Sequence, residues 1–127
     1  MKNNTAAADL FTHCVAVGDT VYAVGVRRDI WFAWPPREPR LYAIKNGTVV
    51  KAVDLAALAG GLATDGQYLY LALNGQRVRV EKRTLDLELV KYVELDSGEV
   101  YDVIIHPATG DIWLSGNIGG PAVVILD

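Results

Sequence analysis

One feature constrains the fold of this 127-residue chain more than any other: a pair of strand-forming residues recurs three times. Val21-Tyr22, Leu69-Tyr70 and Ile112-Trp113 each stand shortly after a turn rich in Asp and Gly. The pairs recur about every 45 residues. The runs around them alternate apolar and polar residues with period two, which indicates β-strands. The recurrence therefore predicts an all-β fold made of repeated antiparallel sheets of four strands.

The connections between these runs carry their own signals. Asn46-Gly47 joins two alternating runs, and this dipeptide favours the positive φ angles of a type I′ hairpin turn. Asn74-Gly75 predicts a second tight hairpin. The segment "RVRVEKR" (77–83) alternates charged and apolar residues, which predicts an outer strand with one solvated face.

One segment predicts a helix. In "DLAALAGG" (54–61), Asp54 fits an N-cap and Gly60-Gly61 fits a C-cap. We therefore expect one or two helical turns to carry the chain from the first repeat to the second.

The repeats resemble those of a known fold. "GDTVYAVG", "TDGQYLYLA" and "HPATGDIWLSG" resemble blade segments of β-propellers of the NHL and YVTN families. The resemblance covers roughly residues 12–127 and implies a scaffold with a central channel and binding loops on one face. It transfers no activity, since these families share no chemistry. In size and lack of motifs the chain is also similar to uncharacterised proteins of hyperthermophilic archaeal viruses.

We predict a single domain that consists of successive blades. We expect an N-terminal segment at 1–11, a first blade at 12–55 with an insertion at 27–39, a second blade at 61–95 and a partial third blade at 100–127. Three blades do not close a ring, because propellers have typically about four to eight. We predict half of a six-bladed propeller completed by homodimerisation, with residues 5–11 supplying the outer strand that the third blade lacks. A monomeric β-sandwich or barrel is the alternative.

The insertion, "RRDIWFAWPPREP" (27–39), has no strand period. Its large aromatic side chains and stiff prolines argue against disorder, so we expect it to pack over something. Its own blade, the other subunit and a ligand or foreign partner are the three alternatives, and aromatic residues with arginines are typical of interface hot spots.

An acidic segment, "ELDSGEVYD" (94–102), is predicted on the same face as the insertion. Its carboxylates fit the arginines of the insertion across a two-fold axis, so that charge reversal of the arginines would prevent assembly. The predicted binding and interface residues are Arg27, Arg28, Trp31, Phe32, Trp34, Arg37, Glu94, Asp96, Glu99 and Asp102.

The sequence contains no catalytic motif, so we predict a non-catalytic binding or assembly module without metal or cofactor. His13 and Cys14 are adjacent on a strand, point to opposite faces and do not form a nucleophile–base pair. The alternatives are a hydrolase or lactonase-like enzyme with a pocket under the Trp31–Trp34 loop, and a carbohydrate-binding module whose indoles stack on sugars. The predicted partners are a second copy, and another protein or an anionic or sugar ligand.

Composition limits the partners and the compartment. A net charge of −3 argues against nucleic-acid binding, which favours a basic face. The single cysteine allows no intrachain disulfide or cysteine-based zinc site and fits reducing surroundings. No apolar run reaches the roughly 18 residues of a membrane-spanning helix, and the N-terminus has no signal-peptide core. We therefore expect a cytoplasmic protein, associated with the virion if it is viral.

Overall fold

The computed structural model describes residues 9–27, 39–118 and 122–124, which form three antiparallel sheets. None of these residues belongs to a helix long and apolar enough to cross a membrane. The strands are β1 (Asp9–Val17), β2 (Thr20–Arg27), β3 (Pro39–Lys45), β4 (Thr48–Asp54), β5 (Leu58–Thr64), β6 (Tyr68–Asn74), β7 (Val78–Thr84), β8 (Leu89–Glu94), β9 (Glu99–Ile105), β10 (Ile112–Asn117) and β11 (Ala122–Val124).

Each sheet is a meander, in which sequential strands pair with one another. The first sheet has the order β1-β2-β3-β4, the second β5-β6-β7-β8, and the third β9-β10-β11 within the described residues. The second sheet lies between the other two, because β5 contacts β1 on one side and β9 on the other. The predicted all-β fold of antiparallel four-stranded sheets is therefore confirmed.

The alternation of side chains along β6 explains how the sheets stack. Leu69 and Leu71 belong to the apolar layer shared with the first sheet, where Tyr22 and Leu41 lie. Tyr70 and its neighbours on the same face belong to the layer shared with the third sheet. Because successive residues of a strand point to opposite faces, one strand supplies both layers.

Both hairpins predicted from Asn-Gly form, but only the first has the predicted two-residue turn. Asn46 and Gly47 have φ angles of 54° and 76°, as a type I′ turn requires. The turn between β6 and β7 is longer than the predicted Asn74-Gly75 pair, because β6 ends at Asn74 and β7 begins only at Val78. The connection has three residues, and the Asn74 side chain is engaged with the third sheet.

The predicted helix at 54–61 is also wrong, because β5 begins at Leu58 and includes Gly60 and Gly61. Both glycines lie where β5 presses against β9. A Cβ at Gly60 would collide with the carbonyl oxygen of Val100, and one at Gly61 would lie 2.6 Å from Val103 Cγ2. The glycines therefore permit close approach of two strands rather than ending a helix.

Residues 9–11 do not supply an outer strand to the third sheet. They belong to β1, where Asp9 pairs with Arg27 and Phe11 pairs with Gly25. The pairing with β2 extends the first sheet three residues beyond the predicted blade boundary at residue 12. Residues 5–8 of the predicted segment lie outside the described residues.

The turn before β6 depends on the charge of Asp65. Its Oδ1 accepts hydrogen bonds from the Gln67 and Tyr68 amides at 2.9 and 2.8 Å, and its Oδ2 accepts one from the Tyr70 hydroxyl at 3.1 Å. Burial raises the pKa of Asp65, but these hydrogen bonds together outweigh it and hold the pKa below 3.8. Burial of the Tyr70 hydroxyl and its hydrogen bond to Asp65 raise the pKa of Tyr70 to about 12.

A depressed pKa gives stability that is present above the unfolded-state pKa and is lost as the pH falls through the folded one. We expect Asp65→Asn to destabilise the fold by about 1 kcal/mol at pH 7, because the amide nitrogen cannot accept the Tyr70 bond. The difference from wild type should shrink below about pH 4. Urea denaturation between pH 2.5 and 7 measures it, and an equal difference at both ends would contradict the charge-based account.

Candidate interaction surface

The three sheets repeat in structural register, and this makes one face of the third sheet exceptional. Relative to the bulge of each inner strand, Tyr22, Tyr70 and Trp113 occupy equivalent positions on β2, β6 and β10. Tyr22 and Tyr70 point at the following sheet and are only 5% and 7% exposed. Trp113 points the same way from the third sheet and is 37% exposed. In the first two sheets the side chain at this position is therefore covered by the next sheet, and in the third sheet it is partly exposed.

The face around Trp113 is largely apolar, and we call it the open face. Ile104, which pairs with Trp113 across the strands, is 56% exposed, and Tyr101 is 60% exposed. Asp102 and Ser115 form the next pair on this face and are exposed as well. A shallow cleft of about 150 Å³ on this face is lined by Asp102, Ile104, Trp113 and Ser115. Exposed apolar side chains grouped on one sheet face are typical of interaction surfaces, which makes the open face a candidate.

The outward face of the first sheet is a second exposed surface. Cys14, Ala16 and Val21 are exposed there, on β1 and β2. Ala23 and Tyr42, farther along this face, are buried, and the Tyr42 ring meets Phe11 edge-on at 5.2 Å between centroids. This face therefore offers small side chains near the inner strand, where the open face offers large ones.

The junction between the second and third sheets has a polar latch, which we define as the side chain of Asn74 bound to the main chain of β9. Asn74 Nδ2 donates to the Val100 carbonyl at 3.0 Å, and Val100 N donates to Asn74 Oδ1 at 2.8 Å. Gly60 makes room for it, because a Cβ there would lie 2.7 Å from Asn74 Nδ2. The side-chain amide thus pairs with a strand edge as a neighbouring backbone would.

The junction between the first and second sheets contains a buried ion cluster, Arg79–Glu81–Arg83. Glu81 is 1% exposed, and its two carboxylate oxygens accept hydrogen bonds from Arg79 Nε and Arg83 Nε, each at 2.8 Å. Arg83 Nη1 also donates to the Leu87 carbonyl at 2.8 Å, and the Arg79 guanidinium lies 3.6 Å from the Tyr92 ring centroid. Every charge therefore has a partner inside the sheet stack.

This cluster corrects the prediction for 77–83. β7 is the third strand of its sheet, not the outer one, and its charged face points at the first sheet. Glu81 lies across from Leu71, whose side chain is in the apolar layer with the first sheet. One carboxylate, that of Glu81, pairs with both guanidinium groups, and a charge–apolar alternation alone does not reveal this pairing.

Comparison with solved structures identifies the architecture. Hydrazine synthase from Kuenenia stuttgartiensis resembles the chain with a TM-score of 0.67 and 14% identity, over 94% of this chain and 46% of that one. The β-propeller domain of Cps50 (Swd1) from Myceliophteria thermophila resembles it with a TM-score of 0.55 and 14% identity, over 94% of this chain and 41% of that one. The chain is a partial β-propeller. Its sheets are blades, and it spans less than half the length of either structure.

The other comparisons add no function. A third structure, the Myxococcus xanthus glutaminyl cyclase, has a TM-score of 0.38, which is too low to carry an argument. No known protein family and no curated protein matches the chain by sequence. The likeness to propellers at this identity establishes the fold alone.

One end of the blades carries the β2–β3 and β6–β7 connections and the crossovers between blades, and we call it the loop-bearing end. The β2–β3 and β6–β7 connections and the β8–β9 crossover all lie there, the last fixed by hydrogen bonds between Val78 and the main chain of Leu95 and Asp96. Two clefts of about 350 and 310 Å³ open at this end and share Arg77 and Glu94 in their walls. The first is also lined by Arg79 of the ion cluster.

Some of the predicted site residues fall at this end. Glu94 and Asp96 lie at and just beyond the end of β8, and Arg77 Nη2 is 3.7 Å from Asp96 Oδ1. Glu99 begins β9, and its carboxylate accepts a hydrogen bond from the Tyr101 hydroxyl at 3.0 Å, which raises the pKa of Tyr101. Sequence reasoning missed Arg77, the described cation closest to these acids, although its place next to a Gly-containing turn could have indicated it.

The remaining predicted residues divide into two groups. Asp102 is not at the loop-bearing end but in the middle of β9, on the open face. Arg27 ends β2 at the loop-bearing end. The predicted residues that lie outside the described ones are Arg28, Trp31, Phe32, Trp34 and Arg37.

His13 and Cys14 lie on opposite faces of β1, as the alternation of side chains along a strand predicts. Cys14 pairs with Ala23 on the outward face, whereas His13 pairs with Val24 and its Nδ1 lies 3.2 Å from Thr12 Oγ1. His106 Nδ1 accepts a hydrogen bond from the Ala108 amide at 3.1 Å within a turn. Among the described residues, no three His, Cys, Asp or Glu side chains come together as a metal site would need.

Proposed function

We propose that this chain is a non-catalytic assembly and binding module, in which two copies complete a six-bladed propeller ring. The loop-bearing end of that ring is then the surface that meets a further partner. One observation carries the proposal: Trp113 occupies the position that Tyr22 and Tyr70 fill beneath a following blade, and the described residues place no blade over it.

The second copy follows from the geometry of a ring. A blade that ends a stack leaves its outer face exposed, and the cohesion of repeat folds comes from neighbours that cover such faces. The chain spans 46% and 41% of the two propeller structures it resembles, so two copies supply about the length of one ring. A cyclic pair of identical chains is also the commonest oligomer.

The loop-bearing end is proposed to bind a protein, or an anionic or sugar ligand. Arg77 and Glu94 line both clefts, and Arg77 Nη2 lies 3.7 Å from Asp96 Oδ1, so cationic and anionic groups share a concave surface. The pairing of Arg27, Arg28 and Arg37 with Glu94, Asp96 and Glu99 across the dimer axis remains part of this proposal. Asp102 is removed from it, because this residue lies on the open face.

The alternative functions depend on the Trp31–Trp34 loop. An enzyme pocket or a sugar platform there involves residues outside the described ones, and no contact of the described residues favours either. The similarity to viral proteins and the cytoplasmic location also stay predictions.

Light scattering on a size-exclusion column tests the assembly. We expect the mass of two chains for wild type, and an increase of at least about a hundredfold in the dissociation constant for Trp113→Lys. Loss of a buried aromatic side chain weakens the affinity at each junction about tenfold or more, and a ring of two chains has two such junctions.

Val90→Lys is the matched control, because Val90 is an exposed apolar residue on β8, an outer strand. It should leave the mass unchanged. A wild-type chain that stays monomeric at every concentration tested, or a Trp113→Lys variant as dimeric as Val90→Lys, would overturn the proposal.

A further inference from the structure

The three inner strands share a landmark that fixes their register. Each has a bulge relative to its partner strand, after Phe11 in β1, after Ala59 in β5 and after Val100 in β9. Counting from the bulge, Gly61 of β5 is equivalent to Asp102 of β9. By the same count, Val103 of β9 is equivalent to Cys14 of β1. Two positions that face each other between β5 and β9 can therefore be assigned their equivalents one blade along.

The observed junction between the second and third blades contains one such contact. A Cβ at Gly61 would lie 2.6 Å from Val103 Cγ2, so these two positions face each other directly. Transposed by one blade, the pair becomes Asp102 of the third blade and Cys14 of a first blade. Both residues are exposed within this chain.

We infer that the open face seats the first blade of a second copy in head-to-tail register, with Asp102 of one copy against Cys14 of the other. This inference rests on the proposed self-association and names the surface and the register that it uses. Rotation by half a turn repeats the contact, so that two identical junctions close the ring.

The two faces complement each other in the size of their side chains. The large side chains of Trp113, Ile104 and Tyr101 would meet the small ones of Cys14 and Ala16, so the layers can interdigitate. The rival arrangement packs two open faces back to back. It would set large residues on large ones and bring the two Asp102 carboxylates together, which like-charge repulsion opposes.

The junction between copies differs from the latched one. Tyr101 stands at the bulge position of Gly60, so its side chain fills the room that Gly60 leaves for the Asn74 amide. Asn117, the equivalent of Asn74, therefore cannot repeat the same latch, and the incoming β1 lies farther from β9 than β9 lies from β5. This wider spacing suits a disulfide, whose Cβ atoms are about 3.5–4.5 Å apart.

Cross-linking of the full-length chain tests the register. Asp102→Cys places a thiol opposite the native Cys14 of the second copy, and Cys14 is free and exposed. Under mild oxidation by oxidised glutathione we expect a covalent dimer on a non-reducing gel. Peptide mass spectrometry should show a disulfide between residue 14 and position 102.

Two controls separate the arrangements. Val90→Cys puts a thiol at an exposed position on β8, away from the junction, and should give at least about tenfold less dimer. Asp102→Cys combined with Cys14→Ser should give none in the head-to-tail ring, whereas a back-to-back pair would still cross-link through position 102. Ser115→Cys, the neighbour of Asp102 on β10, is a second reporter should Asp102→Cys fail to fold.

The outcomes distinguish the head-to-tail register from the proposed self-association on which it rests. If the wild-type chain is monomeric in light scattering, both hypotheses are wrong. A dimeric wild type whose Asp102→Cys variant cross-links no better than Val90→Cys, or whose product survives Cys14→Ser, removes the head-to-tail register and leaves self-association standing.

Discussion

Gly60→Ala is expected to destabilise the chain by more than about 3 kcal/mol, although the change adds one methyl group. The added Cβ would collide with the Val100 carbonyl oxygen and lie 2.7 Å from Asn74 Nδ2. Both atoms belong to the latch, whose two hydrogen bonds contribute about 1 kcal/mol each. The rest of the loss comes from moving β9 away from β5 and opening the apolar layer between them.

Gly75→Ala is the matched control for this substitution. A Cβ at Gly75 would meet the Ala57 Cβ at 3.4 Å and the Arg77 carbonyl oxygen at 3.7 Å, which are ordinary contacts, and the residue has no positive φ angle. The same chemical change should therefore lie within about 0.5 kcal/mol of wild type, since alanine also restricts the unfolded chain. Urea denaturation measures both variants. A Gly60→Ala variant as stable as Gly75→Ala would show that β5 and β9 are not held in close contact.

The repeat was predictable because it depends on local pattern. Val21-Tyr22, Leu69-Tyr70 and Ile112-Trp113 have one residue for each face, and in the middle sheet this alternation gives Leu69 to the first sheet and Tyr70 to the third. The Asn46-Gly47 turn was predictable for a related reason, since its two positive φ angles are a property of the dipeptide itself.

The contacts between sheets were not predictable in the same way. Gly60-Gly61 was interpreted as a helix end because a run of Ala, Leu and Gly fits a capped helix as well as a strand pressed against a neighbour. Asn74 was interpreted as a turn residue, since its neighbour is Gly75. Its partner Val100 is 26 residues away in sequence, and no local pattern reports that distance.

Glu81→Gln is the second substitution with a large expected effect, about 3–5 kcal/mol of destabilisation. Glu81 is nearly completely buried, and its carboxylate is the counter-charge of both Arg79 and Arg83. Glutamine keeps the shape but leaves two guanidinium groups between the first and second blades without an anion. The change should also loosen the β7–β8 turn, where Arg83 holds the carbonyl of Leu87, a residue in the left-handed region with φ of 69°.

Asp54→Asn is the control for an ion pair that is not buried. Arg40 Nε lies 3.2 Å from Asp54 Oδ1, but the Asp54 side chain is 84% exposed. Solvent screens such a pair, so its removal should cost about 1 kcal/mol or less. A Glu81→Gln variant no less stable than Asp54→Asn would mean that the cluster is solvated and that the first two blades do not close over it.

A triple substitution decides what the ion cluster contributes. Burying an ion pair has a desolvation penalty that can equal its attraction, so apolar residues of similar volume often replace a buried cluster without loss. Glu81→Leu combined with Arg79→Met and Arg83→Met should therefore recover most of the stability lost in Glu81→Gln. If this variant folds and has the same mass in light scattering as wild type, the cluster serves charge pairing alone. If it folds but loses the proposed self-association, the cluster also fixes the angle between the first two blades, on which closure of the proposed ring would depend.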